Sequence, residues 1–294
     1  MKKLLAPVDF SERALAALEH AAALAKALHG STLLLHVVPS LSELELQAMD
    51  LRLVGGSAEI KRKRFEAVTN QIKELASKAG LEGDIRVCEG DPARAILQMA
   101  EEECVDLIVM PTHGHGPFRR LLLGSVTAKV LHDADCPVFT GAHVPEIEPG
   151  SPAHYQKIVC AVDLGEHSEG VLRAAADFAA AFHAELTVFH ALPLFEFSGL
   201  DQELMFPPAA ESLRESLAAS LSNAEKKLAA LIQTVGCKAE MRVENELVTQ
   251  AARAIVDETK ADLLVIGRAA KGLGRLRSNA YALIRESPCP VISV

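Results

Sequence analysis

The first half of the chain alternates short, continuously apolar runs with longer segments whose apolar residues recur at helical spacing. The runs LLAPVD, STLLLHVV, DIRVCEG, DLIVM and CPVFT predict five strands. The segment SERALAALEHAAALAKALHG, with Leu15, Leu18 and Ala22 at helical spacing, predicts the first of four helices between them. Continuous apolar strands separated by helices indicate a parallel sheet that is covered on both faces.

The second half of the chain repeats this pattern. KKLLAPVDFSERALAALEHAAALAKALHGSTLLLHVV matches QKIVCAVDLGEHSEGVLRAAADFAAAFHAELTVFHAL at a constant offset of 154 residues. The match pairs Asp9 with Asp163 and indicates a duplicated domain. We therefore predict a first domain over residues 1–142, a linker rich in proline and small polar residues over 143–154, and a second domain over 155–294.

The predicted fold class is α/β, with two Rossmann-like doubly wound domains that each contain a five-stranded parallel sheet. In such sheets ligands bind beyond the carboxyl ends of the strands, at the point where the strand order reverses. The residues that directly follow predicted strands are therefore candidates for a site. They are Asp9, Val37, Val38, Gly90, Asp91 and the stretch 111–125.

Composition and charge narrow the classes of function. A net charge of −9, with 49% hydrophobic and 4% aromatic residues, is typical of a globular protein and argues against nucleic acid as a partner. The basic run KRKR at 61–64 is predicted to be a solvated helix face. No stretch has the length of a signal-peptide core or the ~20 apolar residues of a membrane span. The six cysteines form no CxxC motif, which favours reduced thiols and a cytoplasmic location.

The stretch PTHGHGPFRRLLLGS, residues 111–125, carries the richest candidate chemistry. It matches neither GxxxxGK[ST] nor GxGxxG, and its two histidines lack the neighbouring ligands that a metal site needs. The chain then enters a helix at Gly124-Ser125-Val126. The free amides of a helix start can bind an anion, and Ser125 can instead cap the helix with its hydroxyl. The residues alone leave both interpretations open.

Several motifs together resemble the universal stress protein family. They are VDFSE, LLHVV, EGDP, HG-x9-GS after an apolar strand, and CPV, and their recurrence in both halves indicates a tandem member. ATP-binding members of that family carry G-x2-G-x9-G-[S/T] after the fourth strand. Here Pro111 stands at the first glycine position, and Gly114, Gly124 and Ser125 follow at the right spacing. The resemblance implies an adenine nucleotide α-hydrolase-like fold with two domains related by pseudo-twofold symmetry through their fifth strands.

The resemblance also implies a ligand and its site. ATP, with or without Mg²⁺, is expected in the first domain as a regulatory ligand, with adenine near the Asp9 carboxylate and the Val37 backbone. The implied binding residues are Pro7, Val8, Asp9, Val37, Met110, Pro111, Gly114, Gly124, Ser125 and Val126. Pro111 departs from the motif because proline lacks an N–H and fixes φ near −65°. If the family's glycine donates a hydrogen bond there or needs a positive φ, the loop must adjust. If the glycine only permits close approach of the ligand, proline is tolerated.

The second domain has a degenerate version of the same loop. Gly267 stands where Pro111 does, but Ala270 replaces Gly114 and Arg277 replaces Gly124. A long side chain at the helix entrance obstructs the close approach of a phosphate. We therefore expect no ATP in the second domain, where a solvated basic loop is favoured over a different anion site.

The chain shows no catalytic constellation. His36 and His190 end equivalent strands and are expected to be satisfied histidines near the sheet edge. A phosphoryl-transfer site would need a carboxylate pair for Mg²⁺, for which Asp9 and Asp91 are the candidates. We expect a protein that is not an enzyme. The alternatives are a nucleotide-free interaction protein and a slow ATPase, and the expected assembly is an intrachain pseudo-dimer, with a homodimer and an unknown protein partner left open.

Overall fold

The structure, a computed structural model, describes residues 1–11, 13–40, 57–112, 123–141, 155–192, 207–268 and 278–294. The chain divides into two compact units, Met1–Gly141 and His154–Val294, which we call the first and second unit. The predicted linker, residues 143–154, lies outside the described residues.

The first unit alternates strands and helices as its apolar pattern predicts. Its elements are β1 (Lys3–Pro7), α1 (Ala14–Leu28), β2 (Ser31–Val38), α2 (Ser57–Lys78), β3 (Asp84–Glu89), α3 (Pro92–Glu102), β4 (Leu107–Pro111), α4 (Ser125–Asp133) and β5 (Val138–Gly141). The strands lie in the order β3-β2-β1-β4-β5 and pair in parallel. The predicted five-stranded parallel sheet is confirmed.

The second unit has the same succession of elements. They are β6 (Lys157–Ala161), α5 (Ser168–Phe182), β7 (Glu185–Ala191), α6 (Pro207–Val235), β8 (Glu240–Glu244), α7 (Val248–Thr259), β9 (Leu263–Ile266), α8 (Ser278–Glu286) and β10 (Val291–Ser293). Its strands lie in the order β8-β7-β6-β9-β10, again in parallel. The duplication read from the sequence is therefore a duplication of topology.

The cores are built from aliphatic side chains between sheet and helices. Leu4 and Leu5 are successive residues of β1, which point to opposite faces of the sheet, and both have no exposed surface. This burial on both faces explains the continuous apolar runs. In α1, Ala14, Leu18 and Ala21 form the buried stripe at helical spacing. Each fully buried leucine stabilises the fold by about 1.5–3 kcal/mol.

The helices of the first unit cover both faces of its sheet. α1 packs against α2, and α3 packs against α4. The chain leaves β1 toward α1 and leaves β4 toward α4, and these two strands are neighbours. The strand order therefore reverses between β1 and β4, and a crevice opens beyond their carboxyl ends. None of the described helices is both long enough and apolar enough to cross a membrane.

The predicted solvated face of α2 is confirmed. Lys61 lies 2.8 Å from a carboxylate oxygen of Glu89, and Arg62 pairs with Glu59 over 2.7 Å and also contacts Glu66. These basic side chains are more than half exposed, and acidic side chains offset their charge. The run KRKR is therefore a mixed-charge surface of α2.

Candidate functional site

The end of β1 is fixed to β2 by two hydrogen bonds. The amide of Val8 donates to the carbonyl of Leu35 over 2.8 Å, and His36 Nδ1 donates to the carbonyl of Val8 over 2.6 Å. Because a carbonyl oxygen can only accept, Nδ1 carries the proton in this tautomer. The amide and the carbonyl of Val8 are thus both hydrogen-bonded to β2. This fixes the backbone directly before Asp9, which lies at the crevice.

The same arrangement recurs in the second unit. His190 Nδ1 donates to the carbonyl of Val162 over 2.8 Å, and the Val162 amide donates to Phe189 over 3.0 Å. Both histidines therefore fix the strand end through Nδ1, and the prediction of satisfied histidines near the sheet edge is confirmed.

Asp9 organises the turn from β1 into α1. Its Oδ1 accepts the amide of Ser11 over 3.0 Å, which is an Asx turn. Phe10 between them has a φ of 57°, and its ring centroid lies 4.7 Å from that of His36. Leu164, the equivalent of Phe10, has a φ of 58°. Two non-glycine residues in the left-handed region at equivalent positions show that this turn geometry is built into both units.

The backbone of Val37 faces the crevice. Leu35 accepts the amide of Val8 on the β1 side of β2. Because backbone groups of alternate residues in a strand point the same way, the amide and carbonyl of Val37 face that side too. β1 ends at Pro7, so these two groups lie beyond its carboxyl end.

Pro111 is accommodated at the end of β4, where it is in register with Gly141. Ile108 donates its amide to Pro137 on the β5 side over 3.0 Å. Amide directions alternate along a strand, so the amide position of Pro111 faces β1. The described ladder between β1 and β4 extends only as far as Ile108. The missing N–H of proline therefore removes no hydrogen bond from the sheet.

Two hydrogen bonds hold the start of α4 against the end of β4. Gly124 donates its amide to the Thr112 carbonyl over 2.9 Å, and the Thr127 hydroxyl donates to the Pro111 carbonyl over 3.0 Å. Thr112 and Thr127 are both buried. Both ends of the stretch that begins at residue 113 are thus fixed, although residues 113–122, including the predicted Gly114, lie outside the described residues.

Ser125 is not the N-cap of α4, which was one of the two interpretations that the sequence left open. The N-cap is Gly124, with φ −58° and ψ 142° and no side-chain cap, and Ser125 is the first helical residue and is exposed. In the described part of the chain, Ala128 is the first helical residue whose amide is bonded back to the Gly124 carbonyl. The first-turn amides of Ser125 and Val126 therefore carry the positive end of the helix dipole without a competing side chain.

The remaining predicted residues line the strand ends. Pro7 is half-buried at the end of β1, whereas Val8 is 4% exposed. Met110 is also 4% exposed and pairs with Thr140 of β5. The structure thus brings Asp9, the Val37 backbone and the start of α4 to the carboxyl edge of one sheet. Among the residues described, no cluster of three His, Cys, Asp or Glu side chains could hold a metal ion.

The second unit has different hydrogen bonds and side chains at the positions equivalent to Asp9 and Thr127. Asp163 Oδ1 accepts both the Gly165 amide and the Ser168 hydroxyl, each over 2.9 Å. Position 14 of the first unit, which is equivalent to Ser168, is alanine and has no hydroxyl to donate. Ala280 stands at the position of Thr127, which leaves no hydroxyl to hold α8 to β9. Residues 269–277, including the predicted Ala270 and Arg277, lie outside the described residues.

Sequence reasoning missed the roles of Thr127 and Phe10. A threonine in the first turn of a helix that follows a glycine is a usable signal, because its hydroxyl can reach a nearby carbonyl. No pattern in the sequence indicates the positive φ of Phe10, which residues such as Gly or Asn adopt more readily.

Comparison with known proteins identifies the family. The model of the universal stress protein family matches this chain twice, over residues 1–140 and 154–294. The chain therefore belongs to the universal stress protein family, and it carries two copies of the family's domain.

Individual relatives match one copy at a time. Universal stress protein MJ0577 of Methanocaldococcus jannaschii is 34% identical over 152 residues, covering 47% of this chain and 92% of that protein. MJ0531 of the same organism is 33% identical over 138 residues, covering 47% and 79%. A solved universal stress protein from Archaeoglobus fulgidus covers 99% of this chain and 95% of its own, at 22% identity and a TM-score of 0.66. That last likeness shows the shared fold.

Proposed function

We propose that the first unit binds ATP as a regulatory ligand in a stress response. The observation that carries this proposal is the start of α4. Its N-cap is a glycine without a side-chain cap, and the Thr127–Pro111 and Gly124–Thr112 hydrogen bonds hold it at the same sheet edge as Asp9.

The adenine ring meets groups of matching hydrogen-bond chemistry in this proposal. The Asp9 carboxylate can only accept when ionised, and the exocyclic amino group of adenine can only donate. The Val37 backbone supplies one donor and one acceptor at a fixed position beyond β1. These groups recognise a base edge without any movement of the strand ends.

The phosphates are proposed to bind the first turn of α4. Backbone amides at a helix start point toward an anion, and the helix dipole favours negative charge there. Ser125 is exposed and adds a hydroxyl donor beside these amides. Since Gly124 donates its own amide to Thr112, the phosphate contacts fall to Ser125 and Val126 and not to the Gly124 amide.

The second unit is proposed to bind no ATP. The Ser168 hydroxyl occupies one carboxylate oxygen of Asp163, which competes with an adenine amino group for that oxygen. In the sequence, Arg277 replaces Gly124, whereas the close approach of a phosphate favours a small residue at that position. One ATP per chain is the stoichiometry that follows.

Binding is proposed to proceed without turnover. Asp9 is the only carboxylate at the end of β1 or β4 among the residues described, and in-line transfer to water needs a metal-binding pair of ligands near the phosphates. Asp91 Oδ1 accepts the Arg94 amide as the N-cap of α3, so this carboxylate is already engaged in capping a helix. The first unit therefore binds ATP without hydrolysing it, and the bound fraction reports the concentration of ATP.

Equilibrium dialysis with labelled ATP at near-millimolar concentration tests the proposal. We expect about one equivalent retained by the wild-type chain, strong loss in Asp9→Ala, and no loss in the matched control Asp163→Ala. No retention by the wild-type chain would favour a nucleotide-free interaction protein. Magnesium-dependent phosphate release that Asp9→Ala abolishes would instead show a slow ATPase.

A further inference from the structure

An exposed ion pair links the N-cap of α3 to the second turn of α4 in the first unit. Lys129 Nζ lies 3.3 Å from Asp91 Oδ1, and both side chains are about half exposed. The same Asp91 oxygen accepts the Arg94 amide over 2.8 Å as the N-cap of α3. The Arg94 amide and, second, the Lys129 ammonium hold the pKa of Asp91 below its usual value. Asp91 is therefore ionised and Lys129 has an anionic partner.

Lys129 lies on the same face of α4 as Ser125. The two residues are four positions apart, which places their Cβ atoms about 5–6 Å from each other on a helix. Helical side chains tilt toward the N-terminus, so the Lys129 ammonium can extend toward the first-turn amides.

The ion pair is absent from the equivalent place in the second unit. Ala282 stands at the position of Lys129, and Leu247 stands at the position of Asp91 and caps α7 without a side-chain hydrogen bond. α7 nevertheless packs against α8, as α3 packs against α4. The packing of the two helices thus does not require the pair, which occurs only in the unit that retains Gly-Ser at the helix start.

We propose that Lys129 is a specificity-determining residue that exchanges Asp91 for the terminal phosphates of the nucleotide. This inference rests on the proposed binding of ATP by the first unit. A lysine ammonium is a mobile point charge on a flexible stem, so it can reach either partner without movement of the backbone. Its contact strengthens with each added phosphate charge, and the site consequently prefers ATP to AMP and adenosine.

Calorimetric titration of the full chain with ATP, ADP, AMP and adenosine tests this inference. In Lys129→Met we expect the affinity for ATP to fall about tenfold, the size of one charge-assisted hydrogen bond, while the affinity for adenosine is unchanged. Lys78→Met, which removes an exposed lysine paired with Glu74 in α2, is the matched control and leaves all four affinities unchanged.

Asp91→Asn is expected to change ATP affinity in the direction opposite to Lys129→Met. Asparagine caps a helix as well as aspartate does, so α3 keeps its cap while Lys129 loses its resting partner. ATP affinity is expected to rise about threefold, on the scale of an exposed ion pair. This gain shrinks in the Lys129→Met background, because the two side chains act through one contact.

The outcomes separate the inference from the function on which it rests. If the wild-type chain binds none of the four ligands, the proposed function and the inference both fail. If the wild-type chain binds ATP but Lys129→Met weakens all ligands equally, or none, the inference alone is overturned. A selective loss of ATP over adenosine supports it.

Discussion

Thr127 donates its hydroxyl to the carbonyl oxygen of Pro111 over 3.0 Å, and this contact ties the first turn of α4 to the end of β4. Thr127 is buried, with 3% of its surface exposed. In Thr127→Val the shape is retained but the Pro111 carbonyl loses its donor. We expect a loss of about 1–3 kcal/mol in the free energy of unfolding, measured by chemical denaturation, and weaker ATP binding.

Thr127→Ser is the control for this contact. Serine keeps the hydroxyl, so it is expected to retain most of the ATP affinity that Thr127→Val loses. Equal ATP affinities of the valine variant and the wild type would show that the contact does not position the phosphate-binding amides.

Pro111 and Gly267 occupy equivalent positions, and the neighbouring residue on the first helix of each unit is small where the other is large: Ala17 for Pro111 and Val171 for Gly267. A Cβ atom placed on Gly267 would lie 3.0 Å from Cγ2 of Val171, whereas the position equivalent to Val171 in the first unit is Ala17. Ala17→Val is therefore expected to destabilise the first unit by about 1–3 kcal/mol through overpacking. Pro111→Gly in the same chain should recover most of that loss.

Chemical denaturation of both single variants and the double variant measures this coupling. We expect the interaction energy between Ala17→Val and Pro111→Gly to exceed clearly the 0.3–0.5 kcal/mol scatter of independent sites. Strictly additive effects would mean that Ala17 and Pro111 do not share space.

His20 gives the first unit a dependence on pH. It is 3% exposed, its ring centroid lies 5.1 Å from that of Phe139, and burial lowers its pKa from 6.5 to about 4. Below pH 6.5 the unfolded chain gains a proton that the folded chain resists, so stability falls as pH drops from about 6.5 to 4. The loss is about 3 kcal/mol at 1.36 kcal/mol per pKa unit.

Denaturation curves between pH 7 and pH 4 check this dependence against His20→Leu, which cannot titrate. The free energy of unfolding of the variant is expected to fall less over this range. Parallel curves for the two proteins would show that His20 takes up its proton equally well in both states.

The fold could be predicted from the sequence because each strand is buried on both faces. A residue such as Leu5 of β1 tolerates only an apolar side chain, and the resulting runs appear twice at one offset. The position of the crevice followed from topology, since ligand sites of doubly wound sheets lie where the strand order reverses. Asp9 and Val37 were candidates because of their place after predicted strands, and the resemblance to the family added their contacts with adenine. The structure places both residues at that crevice.

The hydrogen bonds that fix the site could not be predicted in the same way. Thr127, Thr112 and Gly124 contact partners on another element, and nothing in local periodicity specifies which carbonyl a hydroxyl will reach. The sequence left open whether Ser125 caps α4 for a related reason. The helix begins one residue earlier than the Ser125 cap requires, because Gly124 is fixed by its amide bond to Thr112.

Backbone amide resonances, followed during an ATP titration, report whether ATP binds at the first turn of α4. We expect the amide signals of Ser125 and Val126 to shift and saturate together with that of Val37, while that of Ser278 in the second unit does not move. Unchanged signals at Ser125 and Val126, while ATP shifts amides elsewhere in the chain, would contradict binding at this helix start.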